Sequence, residues 1–461
     1  QIEGAWNSDG KGLSIWDTLV HQPFSTIVNH DTGDVACDSY HKYPRDVQLL
    51  KEIGFQYYRF SISWPRILPN GSASFINPAG VKYYNNLINL LIKNNIQPLV
   101  TLYQLDLPQS LQNIGGWPNP KLADYFVDYA RVAFSLFGDR VKLWITINEA
   151  WIISNGYENS GSNAPGVGIN GVSPYLAAHT ILKAHARTYH MYNAEFRSNQ
   201  KGKLGMAYFS QFAFAKKPSF EDREAAEREL QFQIGWFAHP IFSSAGGYPP
   251  IMREKVDENS AKEGLKNSRL PHFTAQEISE IKGSADFLAL NHYVSLSYTK
   301  GETGNNPSWS RDSDVIGVYD PRWPSTGDPL YKVVPEGMRG LLRWVKEEYN
   351  DPLIIITENG YAGPFNSPLE DQNRINFHQR YLEEMLKAIY FDDCKVIGYF
   401  VWSLLDNFEW AQGYSIRFGL NQVNFNSSER TRTPRKSASY FRELIATKKL
   451  PNPNKSFPPI E

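Results

Sequence analysis

The sequence predicts an α/β protein built as a single (β/α)8 barrel over residues 1–461. Three observations carry this. Short apolar runs rich in β-branched residues recur along the chain. Each is followed by sequence with helical spacing, the pattern of parallel strands joined by helices. Two of the runs, LWITINE at Leu143–Glu149 and IIITENG at Ile354–Gly360, lead into a glutamate, Glu149 and Glu358. No linker, internal repeat or low-complexity tract divides the 461 residues, and barrels of this kind often exceed the usual domain length.

Taken in order, Gln1–Trp6 opens with no strand before it, so the first of eight strands is expected to be truncated. Gln56–Phe60 (QYYRF) is the first strand present. Asn77-Pro78 reads as a helix cap followed by proline at the first helical position, and Val81, Tyr84, Ile88 and Leu91 continue at helical spacing. Gln97–Tyr103 is a strand, Lys121–Phe137 a helix and Leu143–Ile147 a strand. Helix Pro174–Ser198 precedes strand Lys203–Tyr208, and helix Glu221–Phe237 precedes strand Phe287–Tyr293. Gly301–Val333, rich in Pro and Gly, is expected as a long loop over the rim. Helix Glu336–Tyr349, strand Leu353–Thr357, helix Asn373–Tyr390, strand Val396–Trp402 and helix Ser437–Lys448 complete the alternation.

The composition narrows the function. A hydrophobic fraction of 41% supports a large core. The 12 Trp and 26 Tyr suit a site that stacks against sugar rings as well as they suit core packing. A net charge of −1 with no run of one sign argues against nucleic acid or an anionic membrane as partner. No apolar run reaches the ~18 residues of a membrane span. Cys37 and Cys394 read as buried free thiols. No metal-ligand cluster, phosphate-cradling loop or nucleophilic Ser/Cys arrangement is present, so neither metal nor cofactor is expected. Asn70-Gly-Ser, Asn426-Ser-Ser and Asn454-Lys-Ser match the glycosylation acceptor pattern. A secreted or extracellular glycoprotein is the expectation, although no signal peptide is visible.

A single strand-end glutamate usually caps a turn or pairs with a surface lysine. Two on strand ends of one barrel are what glycosidic bond cleavage requires, because the active site of such barrels lies at the C-terminal ends of the strands. The other strand-end residues are Arg59, Gln104, Asn148, Asn291, Tyr293 and Trp402, followed by SLLDNFEW at Ser403–Trp410.

With YRFSISWPRILPNG, LDLPQSL, INE, LALNHY, ITENGY, VWSLLDNFEW, GYSIRFGL and the opening QIEGAW, the chain resembles glycoside hydrolase family 1, and within it insect β-glucosidases and myrosinase-like enzymes, from Gln1 to about Lys448. The resemblance implies a barrel that hydrolyses small-molecule β-glycosides with retention. It gives Glu358 the nucleophile role and Glu149 the acid/base role. Arg59 and Tyr293 stand beside the nucleophile. Gln1, Asn148 and Glu409 bind glycone hydroxyls, with Trp402 as platform and Trp410 as a further contact, and Gln104 is a further substrate-binding candidate. A retaining mechanism wants the two carboxyl groups about 5–5.5 Å apart, with the acid's pKa raised by burial and by its neighbour.

Three positions depart from the family pattern. Gln104-Leu105 stands where the family usually reads His-Trp, and Ala150 where it reads Pro. Gln differs from imidazole in shape and reach, Leu105 removes an aromatic wall, and Ala150 frees a backbone angle next to Glu149. These changes motivate an alternative, a weakened or inactive member that binds a ligand in the barrel mouth.

Overall fold

Apolar residues on both faces of a strand require cover on both sides, and the chain supplies it. The computed structural model describes residues 1–158, 163–168, 171–304 and 307–460. The strands are β1 (Tyr57–Ser61), β2 (Gln97–Tyr103), β3 (Leu143–Asn148), β4 (Lys203–Ala215), β5 (Phe287–Lys300), β6 (Val315–Val318), β7 (Ile354–Asn359), β8 (Gly363–Pro364) and β9 (Val396–Val401). Among the described residues β1, β2, β3, β4, β5, β7 and β9 pair in parallel in that order, wound as a nearly closed barrel with helices between them. Leu99, Ile145, Ala207, Phe287, Ala289 and Ile355 fill the barrel interior. Their strand neighbours Val100, Trp144, Leu204, Leu288, Ile354 and Ile356 face outward into the layer shared with the helices. The near-continuous apolar runs in the sequence follow from this double burial. The two ends of the path, β1 and β9, do not pair with each other, and Tyr57 and Ile397 are exposed beside that seam.

The helices stand where the spacing places them. Asn77 caps Pro78–Lys93 by accepting the Ala79 N–H at 3.3 Å. Leu122–Phe137, Ser173–Glu195, Glu336–Glu348, Gln372–Phe391 and Lys436–Thr447 match the expected segments. Phe220–Leu230 passes through a π-helical turn, Gln231–Gly235, into Trp236–Phe242. Helices Ser39–Ile53 and Pro250–Lys262 carry many charged residues, with Pro44 inside the first. Pro250–Lys262 buries only Met252, Val256 and Ser260, too thin a stripe for a periodicity reading, and Pro44 reads as a helix break.

The rim differs from expectation. β4 and β5 continue past Tyr208 and Tyr293 because they go on pairing with each other above the barrel, as far as Ala215 and Tyr298. Gly301–Val333 is not a plain loop. It holds a short helix, Trp309–Ser313, and β6, which pairs antiparallel with β5, while residues 305 and 306 of this expected loop lie outside those described. β8 pairs with Ile416–Arg417, fastening the segment after β9 to the segment after β7. Cys37 and Cys394 are buried free thiols. No helix among the described residues is long and apolar enough to cross a membrane.

Candidate active site

Glu358 is delivered by β7, whose Ile354, Ile355 and Ile356 anchor it in the barrel wall. Its carboxylate is held from two sides. Arg59 Nη1, from β1, donates to Oε1 at 2.5 Å, and Tyr293 Oη, from β5, donates to Oε2 at 2.7 Å. Burial, and then the Glu358 charge, keep the Tyr293 phenol well above its ordinary pKa, so it stays a donor. Both neighbours of Glu358 are fixed as well. Thr357 Oγ1 donates to Asn291 Oδ1 at 2.7 Å, and Asn359 is held between the His292 carbonyl and the Tyr399 hydroxyl, each at 2.7 Å.

Glu149 follows β3 in the left-handed conformation, with φ 54° and ψ 58°. This turn re-aims the side chain after a register shift between Ile145 and Asn148. Its N–H donates to the Ala207 carbonyl at 2.8 Å, and its own carbonyl accepts the Ile153 N–H at 3.1 Å as helix Ala150–Asn155 begins. The backbone is thus held on both sides with Ala150 in the proline position, where a helix start tolerates either residue. Asn291 Nδ2 donates to Glu149 Oε1 at 2.9 Å and to Asn148 Oδ1 at 3.1 Å, and Arg59 Nη2 donates to the same Asn148 oxygen at 2.6 Å. One network therefore joins both glutamates. Burial, followed by the nearby Glu358 charge, pushes the Glu149 carboxyl up to about 8, against the Asn291 hydrogen bond and the Arg59 charge. Glu149 is thereby suited to carry a proton, while Glu358 accepts hydrogen bonds from Arg59 and Tyr293, the asymmetry that acid-assisted displacement needs.

The other predicted residues gather at the same mouth. Trp402 follows β9, and its indole N–H donates to Glu409 Oε1 at 3.2 Å, while Asn407 Nδ2 donates to the same oxygen at 2.6 Å. Burial pushes Glu409 up to about 7. Trp410 packs on Trp16 with ring centroids 4.8 Å apart. Gln1 sits against this loop, its carbonyl accepting the Phe408 N–H at 3.2 Å. Gln104, Gln1, Arg59, Trp402 and Trp410 line a cavity of about 690 Å³ that continues from the mouth down the seam between β1 and β9 to Lys142 and Lys203 on the barrel floor. The glutamates 149 and 358 stand off this cavity's lining, reached through Arg59 and Trp402, so its volume describes the seam more than the reacting centre. Leu105, beside Gln104, is buried with φ 70°, a conformation a leucine adopts only under strain.

Several functional residues lack a reading of their own in the sequence. Asn291 reads only as one more strand-end residue, yet it bridges both glutamate-bearing strands. Asp406 and Arg435 form a fully buried pair, with Nη1–Oδ1 at 2.9 Å and Nη2–Oδ2 at 2.8 Å, and Gly419 donates its N–H to the same carboxylate. This pair fixes the loop that carries Glu409, and nothing in either residue's sequence neighbourhood announces it. Gly360 is required because a Cβ there would lie 1.9 Å from the Trp402 carbonyl oxygen. Among the described residues no group of three or more His, Cys, Asp or Glu is arranged to hold a metal ion.

Comparison with known proteins decides the class. The model of glycosyl hydrolase family 1 matches residues 1–450. The chain belongs to glycosyl hydrolase family 1. Myrosinase 1 of Brevicoryne brassicae is 49% identical over 451 residues, covering 97% of this chain and 96% of that protein. The solved structure of an aphid myrosinase superposes with a TM-score of 0.93 at 48% identity, covering 97% of this chain and 96% of the other. A rice β-glucosidase variant, solved in a covalent complex with Glc, superposes with a TM-score of 0.89 at 38% identity, covering 96% and 95%. As a family 1 member the protein is a glycoside hydrolase acting on small-molecule glycosides, and its fold is the (β/α)8 barrel of its structural neighbours.

Proposed function

We propose that this hydrolase is a retaining β-glycosidase, most simply a β-glucosidase, acting as one barrel domain over residues 1–461. The observation that carries the reading is the asymmetry of the two glutamates. Glu358 is clamped by a cation and a phenol, and Glu149 sits close by with its pKa raised to about 8. In the first step Glu358 attacks the anomeric carbon, the bond to the leaving oxygen breaks, and Glu149 gives that oxygen its proton. A glycosyl ester on Glu358 results. Its formation removes the Glu358 charge, so the Glu149 pKa falls and Glu149 takes a proton from the attacking water as the ester is cleaved. Arg59 and Tyr293 aim the nucleophile. Gln1, Gln104, Asn148, Glu409 and Trp410 bind the glycone hydroxyls above the Trp402 face. Exposure of Asn70, Asn426 and Asn454 supports glycosylation and a secreted protein.

The test is release of nitrophenol from nitrophenyl β-D-glucoside by the wild type and by Glu358→Gln, with the anomer formed first followed by NMR. Wild-type turnover with β-glucose as first product, reduced about 10⁴-fold or more in the variant, supports the reading. Inversion, or a variant as active as the wild type with its folding verified by circular dichroism, overturns the assignment of Glu358.

A further inference from the structure

Residues 21–34 form a strap outside the barrel that lies against the loop carrying Glu409 and Trp410. Its ends are drawn together, with His21 Nε2 3.1 Å from Asp34 Oδ2 and His21 Nδ1 2.6 Å from the Asp17 carbonyl. Its middle engages the loop. Asp31 Oδ2 accepts the Tyr414 N–H at 2.8 Å, and Tyr414 Oη donates to the Thr32 carbonyl at 2.8 Å. The Asp31 carboxylate is seated so closely that a Cβ on Gly413 would stand 2.4 Å from its Oδ2. Gly413 also has φ 54° and ψ −125°, a backbone conformation open to glycine alone. Gly413 in turn closes the turn that carries the site residues. Its carbonyl accepts the Glu409 N–H at 2.8 Å, and its N–H donates to the Trp410 carbonyl at 3.0 Å. A continuous set of bonds therefore runs from Asp31 through Tyr414 and Gly413 to Glu409 and Trp410.

We propose that Asp31 is a positioning residue for the glycone end of the site, setting affinity for the sugar from outside the barrel through the Gly413-Tyr414 backbone. The proposal rests on the proposed glycone contacts of Glu409 and Trp410. Glu358 stands on β7 and Glu149 just after β3, and neither has a bond to the strap, so Asp31 governs binding held equally in ground and transition states. Loss of such binding raises KM and leaves kcat in place. A merely structural role would instead lower the active fraction, reducing apparent kcat at constant KM.

The experiment compares wild type, Asp31→Ala and Asp31→Asn by two readouts, hydrogen exchange at the Tyr414 amide and steady-state kinetics on nitrophenyl β-D-glucoside. Asp31→Ala is expected to lose Tyr414 protection and to raise KM about tenfold, the worth of one charge-assisted hydrogen bond, with kcat within about threefold of wild type. Asp31→Asn keeps an oxygen acceptor and is expected to restore protection and most of the KM. Unchanged protection in Asp31→Ala, or a fall in kcat at constant KM, overturns the proposal. A wild type that binds glucose but leaves the glucoside intact would overturn the glycosidase reading alone. The exchange readout, with glucose affinity in place of KM, then still decides the role of Asp31.

Discussion

Arg59 and Glu358 meet at 2.5 Å although 299 positions separate them in the chain. Their side chains are 6% and 5% exposed, so neither charge has water to fall back on. A buried pair of this kind is retained for the arrangement it enforces rather than for stability, since desolvation offsets most of its attraction. Here it fixes the Glu358 carboxylate against Arg59 Nη1, and the second Arg59 donor carries the same constraint to Asn148.

The phenol on the other side of Glu358 is separable from this charge pair. Tyr293→Phe removes the 2.7 Å hydrogen bond to Oε2 and little else. It should lower kcat/KM about ten- to hundredfold, the range for a hydrogen bond to a charged group, with thermal unfolding close to wild type. A variant with full activity would show that Arg59 alone positions the carboxylate.

The pH profile follows from Glu149. The proposed acid works only while it carries its proton, so kcat/KM should fall as pH rises through about 8. Asn291 donates to Glu149 Oε1 and thereby favours the charged form, which lowers this pKa. Removing that donor in Asn291→Ala should lower the rate and move the alkaline limb to higher pH, by up to about one unit. A limb that stays in place would mean that another group controls it.

The Asp406–Arg435 pair is 0% exposed on both sides. Asp406→Asn leaves the guanidinium buried without its counter-charge, at a cost of about 3–5 kcal/mol. Denaturant unfolding should show the loss as a lower midpoint. A shift under about 1 kcal/mol would indicate that Arg435 finds adequate partners in the backbone, of which the Gly419 carbonyl at 2.7 Å is one.

Gly360→Ala tests how the strand after Glu358 meets Trp402. With 1.9 Å between the new Cβ and the Trp402 oxygen, either the platform or the strand must shift, and the platform is expected to. Destabilisation of about 1–3 kcal/mol is expected, together with a changed tryptophan emission spectrum and weaker substrate binding. An unchanged spectrum at wild-type KM would show that the strand yields instead.

Barrel and site were legible to different depths. Strands such as β3 and β7 announce themselves because double burial selects an apolar run that no surface helix would carry. The glutamates were legible because a polar residue at the end of such a run has few reasons to be there. Helix Ser39–Ile53 was not, since Pro44 in its interior reads as a break and the buried Asp46 interrupts its apolar face. The rim was misread for a related reason. β4 and β5 run on above the barrel by pairing with each other, a long-range choice that no local window reveals. Asn291, Asp406 and Arg435 matter through partners 13 to 143 positions away, so their importance exists only once the chain has closed.

The loop bearing Glu409 and Trp410 is held from outside the barrel by the strap through Asp31, while Glu358 lies in β7 and Glu149 at the end of β3. The two halves of the site therefore have separate supports, and peripheral supports open before a barrel core does. On slow heating, affinity for sugar should fade while the barrel remains helical by circular dichroism. The enzyme's working temperature is then set by its outer fastenings rather than by the melting of its barrel.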